Sequence, residues 1–335
     1  KLRRDPRVYV RAVLREDEAT AGIGVGLKLK GAAGSFREVD DRPAFTVKAD
    51  RFDDSGSWHG LRKFHLNNSV QDETYLDEWL ASEIAREAGV PATRVAHARV
   101  WLNGRDLGLY VLKEGFDRNF LRRHFPSANG DLYDGGFCQD VDAPLEKDTG
   151  SARDDRANLQ ALLDACREPE SEARAGRIAQ VLDVPAFLSF WAFEEMIGHW
   201  DGYALNRNNY RLYFEPGSRK AYFLPHGMDQ IFNDPEASVL EPPGAIVAIA
   251  VSRNPEWRAR YRKRITELLP IFLATEKLHR RIDEVAARLR PVLLAIGPEA
   301  ARAHADRVRE LKERLVSRAK NLKEQAGQPD PKALD

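Results

Sequence analysis

The chain has 335 residues, with 52 Lys and Arg against 52 Asp and Glu, and two cysteines. That length buries a substantial core as one large domain or two lobes. The balanced charge lacks the concentrated basic excess that phosphate-backbone binding shows, so no nucleic acid is expected. The basic run RARYRKR at 258–264 reads as a solvated helix face.

Cys138 and Cys166 match no zinc spacing and make no disulfide framework. No run of 18 apolar residues occurs, so no membrane span is expected. The chain starts at Lys1 without an initiator Met, so removal of an upstream segment is expected.

Residues 8–14, 22–30 (GIGVGLKLK), 44–49 and 61–66 have the patterning of strands. Asp72 is predicted to cap a helix whose apolar stripe, Trp79, Leu80, Ile84 and Ala88, ends at Gly89. Strands at 94–102 and 107–113 follow, joined by Asn103-Gly104, the strongest short-range hairpin signal. Strands, one helix and then a hairpin is also the element order of a kinase small lobe.

Residues 115–155 read as loop, broken by Gly130, Gly135, Gly136 and Gly150. Helices are predicted over 157–166, 173–182, 184–197, 255–274, 275–294 and 298–325, and strands over 210–214 and 221–224. The tail 327–335 reads as disordered.

The chemistry concentrates in HWDGYALNRNNY at 199–210 and PHGMDQIF at 225–232. Kinase-type phosphoryl transfer uses one Asp near the acceptor hydroxyl, an Asn on a metal and a later metal-bound Asp. Asp201 and Asn206 have the D-x-x-x-x-N spacing, and Asp229 follows. The plainer alternatives are a helix cap for Asp201 and a turn for Asp229. GAAGSF at 31–36 follows a strand and could bring backbone N–H groups to phosphate oxygens, or could be an ordinary hairpin turn.

In order and spacing, several segments together resemble the CotH-type kinases, the family of spore coat protein H, over residues 20–235. They are KGAAGSF (30–36), LRKFHLNN (61–68) with Asp72, VWLNGRDLGLYVLKE (100–114), DLY (131–133), WDGY (200–203) with Asn209-Tyr210, and the 225–232 segment. The resemblance implies an α+β, atypical protein-kinase-like fold of two lobes. A β-rich lobe with one αC-like helix would span 1–114, and a mostly helical lobe 115–326.

It further implies ATP and Mg²⁺ (or Mn²⁺) in the cleft, with phosphate transfer to Ser or Thr of a protein acceptor, including the protein itself. Asp201 would orient the hydroxyl, Asp229 would hold the metal, and either Asn206 or Asn209 would assist. Lys30, Gly31, Gly34 and Ser35 would cradle phosphates. Lys48, with Lys63 as alternative, would reach the α- and β-phosphates and pair with Glu78, while Glu114 would face the adenine or ribose. Family members often carry an acid-x-acid pair where this chain has Gly227-Met228-Asp229, and their asparagine aligns better with Asn209 than with Asn206. Members are often exported, so an extracytoplasmic or secreted location is expected, with a monomer favoured. Two other readings remain open: a metal-dependent hydrolase using His199, Asp201, His226 and Asp229, and an inactive kinase-fold scaffold.

Overall fold

Side-chain alternation organises the first sheet of the computed structural model, which describes residues 1–17, 19–53, 56–150 and 156–328. In β2 (Ile23–Lys30), Val25 and Leu29 are buried, while Lys28 and Lys30 take the other face, as a side-chain period of two requires. β1 (Val10–Leu14), β2, β3 (Ala44–Lys48), β4 (Lys63–Asn67), β6 (Arg105–Glu114) and β5 (Val95–Leu102) lie in that order, each pair antiparallel. The predicted hairpin is present: Asn103 and Gly104 join β5 to β6 with φ of 52° and 82°. Phe45, Val47, Phe64 and Tyr110 pack on the apolar face. On the opposite face, Lys28, Thr46, His65 and Lys113 are direct register neighbours, forming one polar row across four strands.

The helix after β4 is α1 (Asp77–Glu87), which begins later than the predicted cap at Asp72. Asp72 instead serves the preceding turn. Its Oδ1 accepts from Thr74 N (2.9 Å) and its Oδ2 from Asp77 N (3.0 Å), so it reaches the first helical turn without being the N-cap. The apolar face of α1 joins the large core of the helical half. Ion pairs Lys277–Glu87 (2.6 Å) and Arg281–Glu83 (3.1 Å) flank that contact.

Residues 115–155, predicted as loop, contain α2 (Arg118–His124), β7 (Asp131–Asp134) and β8 (Glu146–Thr149). The two strands are only four residues each and carry no strong local pattern. β7 is held by pairing with β9 (Tyr210–Glu215), remote in sequence. With β10 (Lys220–Pro225) they make a second sheet in the order β10-β9-β7-β8.

α3 (Ala157–Arg167), α4 (Ser171–Val181) and α5 (Val184–Met196) follow β8 in the chain and match the predicted helices. α5 is apolar nearly all round and almost wholly buried, capped by Asp183 through Ala186 N (3.0 Å). The short α6 (Tyr203–Asn206) and α7 (Ile246–Ser252) were not expected. α8 (Pro255–Leu273), α9 (Thr275–Ile296) and α10 (Pro298–Ala326) complete the helical half. Among the described residues no helix is long and apolar enough to cross a membrane. The predicted disordered tail lies, from residue 329 onward, outside the described residues.

Candidate active site

Glu78, in the first turn of α1, meets Lys113 of β6 in an ion pair whose side chains are 1 % and 0 % exposed. Its second oxygen accepts from Asn67 Nδ2 (2.8 Å), and Asn67 Oδ1 accepts from Lys30 Nζ (2.5 Å). One carboxylate therefore organises two lysines, Lys113 directly and Lys30 through an amide. Met228 N also donates to Glu78 (3.3 Å), tying the loop of Asp229 to α1. Burial pushes the Glu78 carboxyl up, but the Lys113 charge and hydrogen bond outweigh it and leave it below the ordinary value. Burial pushes the Lys30 ammonium down to about 8, with Glu78 pulling the other way.

Asp201 follows α5 and sits among three amides. Asn206 donates to its Oδ1 (3.1 Å), and Asn208 (3.0 Å) and Asn209 (2.8 Å) donate to its Oδ2. Asn209 has φ 49°, and its carbonyl accepts from His226 N (2.9 Å). Gly227 has φ 57°, and a Cβ there would lie 2.3 Å from Asn209 Oδ1. The Asn209 side chain thus stands between Asp201 and the loop that carries Asp229. The same crowding, together with the positive φ, favours glycine at position 227. Burial, and then the Glu78 charge, push the Asp229 carboxyl above its ordinary range.

Two expectations are corrected. Lys48 does not pair with Glu78: its Nζ lies 3.9 Å from Asp50, and β-register sets it opposite Lys63. The partner is Lys113, which the sequence reading left unassigned. Its signal was phase, because Lys113 shares strand parity with the buried Leu109 and Val111. Glu114, expected at the nucleotide, points to the opposite face and is bound by Arg94 (3.2 Å) and Arg123 (2.5 Å). Asn67 and Asn208 are further residues of this network that the sequence reading did not single out.

Lys63 is engaged by Asp148 of β8 at 3.2 Å. The glycine loop follows Lys30 directly. Gly31 and Gly34 take φ of 105° and 80°, and Ser35 Oγ accepts from Ala32 N (3.1 Å). Asn68 Nδ2 holds the loop by donating to Ser35 O (3.2 Å). Left-handed backbone at both glycines is the reason these positions suit glycine.

A metal here would draw on the Asp229 carboxylate and the Asn206 or Asn209 amide, of which Asn209 Oδ1 lies beside Gly227. Such hard donors suit Mg²⁺ or Mn²⁺ completed by phosphates and water. Among the described residues, no three His, Cys, Asp or Glu side chains converge on a metal geometry. The histidines of the hydrolase alternative are occupied otherwise. His226 Nδ1 takes a hydrogen bond from Lys113 Nζ (2.9 Å), and His199 Nε2 donates to the His226 carbonyl (3.0 Å). Burial pushes His199 down to about 4, keeping that ring neutral.

Residues 27–320 match the family described as CotH kinase protein. The chain is 24% identical over 263 residues to Invasin CotH2 of Rhizopus delemar, covering 69% of this chain and 44% of that protein. It is 21% identical over 272 residues to Inner spore coat protein H of Bacillus subtilis, covering 71% and 70%. It spans less than half the length of the first Rhizopus relatives it matches. Among solved structures, a chain of the Shewanella oneidensis MR-1 toxin–antitoxin complex of HipA, HipB and operator DNA is similar at a TM-score of 0.38. The identity there is 16%, over 90% of this chain and 68% of that one, a likeness too slight to build on.

Proposed function

The chain belongs to the CotH kinase protein family, and on that premise we propose that it transfers the γ-phosphoryl group of ATP to Ser or Thr of a protein acceptor, itself included. The observation that carries this is the linked set Lys30–Asn67–Glu78–Lys113, joined through Met228 to Asp229 and through Asn209 to Asp201. This linkage supports a reading in which Lys30 and Lys113 serve phosphate, the Asp229 loop serves a metal and Asp201 serves the acceptor hydroxyl.

In this reading the glycine loop and Lys30 hold the phosphates, Lys30 taking the phosphate role expected of Lys48 while Lys113 takes its pairing with Glu78. The acceptor hydroxyl oxygen attacks the γ-phosphorus as the bond to the β–γ bridging oxygen breaks, and ADP leaves with that electron pair. The hydroxyl proton passes to Asp201, whose three amide donors fix its oxygens. Asp229 with Asn209 would hold Mg²⁺ or Mn²⁺, which supplies neutralisation of phosphate charge. The names of the relatives, an invasin and an inner spore coat protein, support an extracytoplasmic site of action.

An inactive scaffold is the second reading, favoured by Gly227, which leaves one carboxylate in the metal loop. Incubation with γ-labelled ATP and Mg²⁺ or Mn²⁺ tests both. Label on the protein or on a serine-rich acceptor supports the kinase. Nucleotide binding without transfer, across several metals and acceptors, supports the scaffold.

A further inference from the structure

A second group of cations converges beside the Lys30 cluster, and one carboxylate of the chain fills it. Asp148, on β8, lies 3.2 Å from Lys63 of β4 and 3.8 Å from Arg211 Nε of β9. Lys28 of β2 is within electrostatic reach of the same carboxylate. Three cations from both sheets therefore address a single anion.

Arg211 is positioned independently of that anion. Its guanidinium pairs with Asp134 (2.7 Å), donates to the Tyr210 carbonyl (2.9 Å) and stacks on Phe116 at 5.7 Å. Its Nε is buried and has no hydrogen-bond partner among the described residues, although it faces Asp148. A buried donor left unmatched costs free energy, and an oxyanion with better geometry would relieve that cost. The cluster adjoins the candidate active site, since Lys28 and Lys113 stand at the ends of one register row through Thr46 and His65, and Lys63 shares the His65 face of β4.

Asp148 itself is weakly anchored by backbone. β8 is a four-residue edge strand with β7 as its sheet neighbour, and the register of that pair shifts between Leu132 and Tyr133. Its side chain, rather than an extensive ladder, ties this hairpin to the first sheet.

We infer that Lys28, Lys63 and Arg211 form a subsite for phosphoryl oxygens, and that Asp148 occupies it as a resident competitor. The subsite deepens the nucleotide reading and rests on it for the identity of the phosphate donor. An oligophosphate displaces Asp148, and the β8 strand then loosens from the first sheet. Lys63, paired in this structure, becomes a phosphate ligand only after that exchange.

Titration of the full chain with tripolyphosphate, and separately with Mg–ATP, tests this in the wild type, Asp148→Asn and Asp148→Asn/Lys63→Gln. Asp148→Asn is expected to bind tripolyphosphate roughly three- to tenfold more tightly, as removal of a partly buried competing charge implies, and Lys63→Gln should cancel the gain. In the wild type, hydrogen exchange at residues 146–149 should speed up on tripolyphosphate binding, a readout that does not depend on how the variants fold. Unchanged or weaker binding by a folded Asp148→Asn, or unaltered exchange at 146–149 under saturating tripolyphosphate, overturns the subsite and leaves Asp148 as a brace. Tripolyphosphate binding that tightens in Asp148→Asn, without any ATP binding, supports the subsite and removes the nucleotide reading. ATP binding indifferent to Asp148 does the reverse.

Discussion

Glu78 and Lys113 form an ion pair closed off from solvent, and Asn67 extends it to Lys30. Losing one partner of a buried pair strands the other charge, which costs about 3–5 kcal/mol. Glu78→Gln and Lys113→Met should each lower stability by about that amount, and the double variant should recover part of the loss. Urea denaturation of the four proteins checks this. Additive losses would mean that the two side chains act separately.

Lys30 gives nucleotide binding a particular pH dependence. Burial lowers its pKa to about 8, so its charge is present below that pH and is lost as the pH rises through it. Affinity for Mg–ATP should therefore decline above pH 8, where an ordinary lysine would stay charged to about 10.4. Lys30→Met should flatten the profile. Asn67→Ala should reduce affinity while the protein remains folded, since it frees Lys30 from Glu78. Calorimetry between pH 6.5 and 9.5, chosen to bracket the value of about 8, gives the answer.

For Asp229 the sign favours the neutral form. Its folded-state pKa is raised by burial and by Glu78, so as pH rises from the unfolded value towards the folded one the native state is progressively disfavoured. Asp229→Asn should thus keep or increase the melting temperature at pH 7–8 while abolishing metal-dependent nucleotide binding. A marked fall in melting temperature without nucleotide would assign Asp229 a structural role instead.

Asp201→Asn should separate binding from transfer. The amide puts a donor among Asn206, Asn208 and Asn209, so stability should drop by about 1–3 kcal/mol. Affinity for Mg–ATP should stay within a few-fold, because the group acts mainly in the transition state. Label transfer from ATP should be lost. His199→Ala and His226→Ala should leave metal binding in place, and loss of metal in either would favour the hydrolase.

Gly227→Asp supplies the second acid that the family resemblance leads one to expect here, yet it should impair the protein. A left-handed backbone costs a non-glycine residue about 1–2 kcal/mol, and the new Cβ would collide with Asn209. Lower melting temperature and reduced transfer are expected. A stable, more active variant would show that the glycine is a simple loss rather than a steric requirement.

Much of the architecture was legible because it rests on local signals. Alternation marked the long strands, and Asn103-Gly104 marked the hairpin. Apolar periodicity marked the long helices. β7 and β8 were illegible, since a four-residue strand such as β7 exists through pairing with β9 across a wide gap in sequence. Asp72 misled because an acid before a helix satisfies a turn as readily as an N-cap.

At the site, residue type and spacing pointed to Asp201 and Asp229, and the family resemblance added Glu78 and the glycine loop. It set Lys48, with Lys63 as alternative, against Glu78, because lysines along neighbouring strands look alike in sequence. Register and helix placement decided the partner: Lys48 falls opposite Lys63, and Lys113 falls beneath α1. Tertiary structure likewise set Asn209 between Asp201 and Gly227, and it closed Asp148 over Lys63. Spacing records which chemistry a chain carries, but pairing of charges depends on distances of a few ångströms between segments far apart in sequence. Those distances are fixed only when the two sheets and α1 pack together.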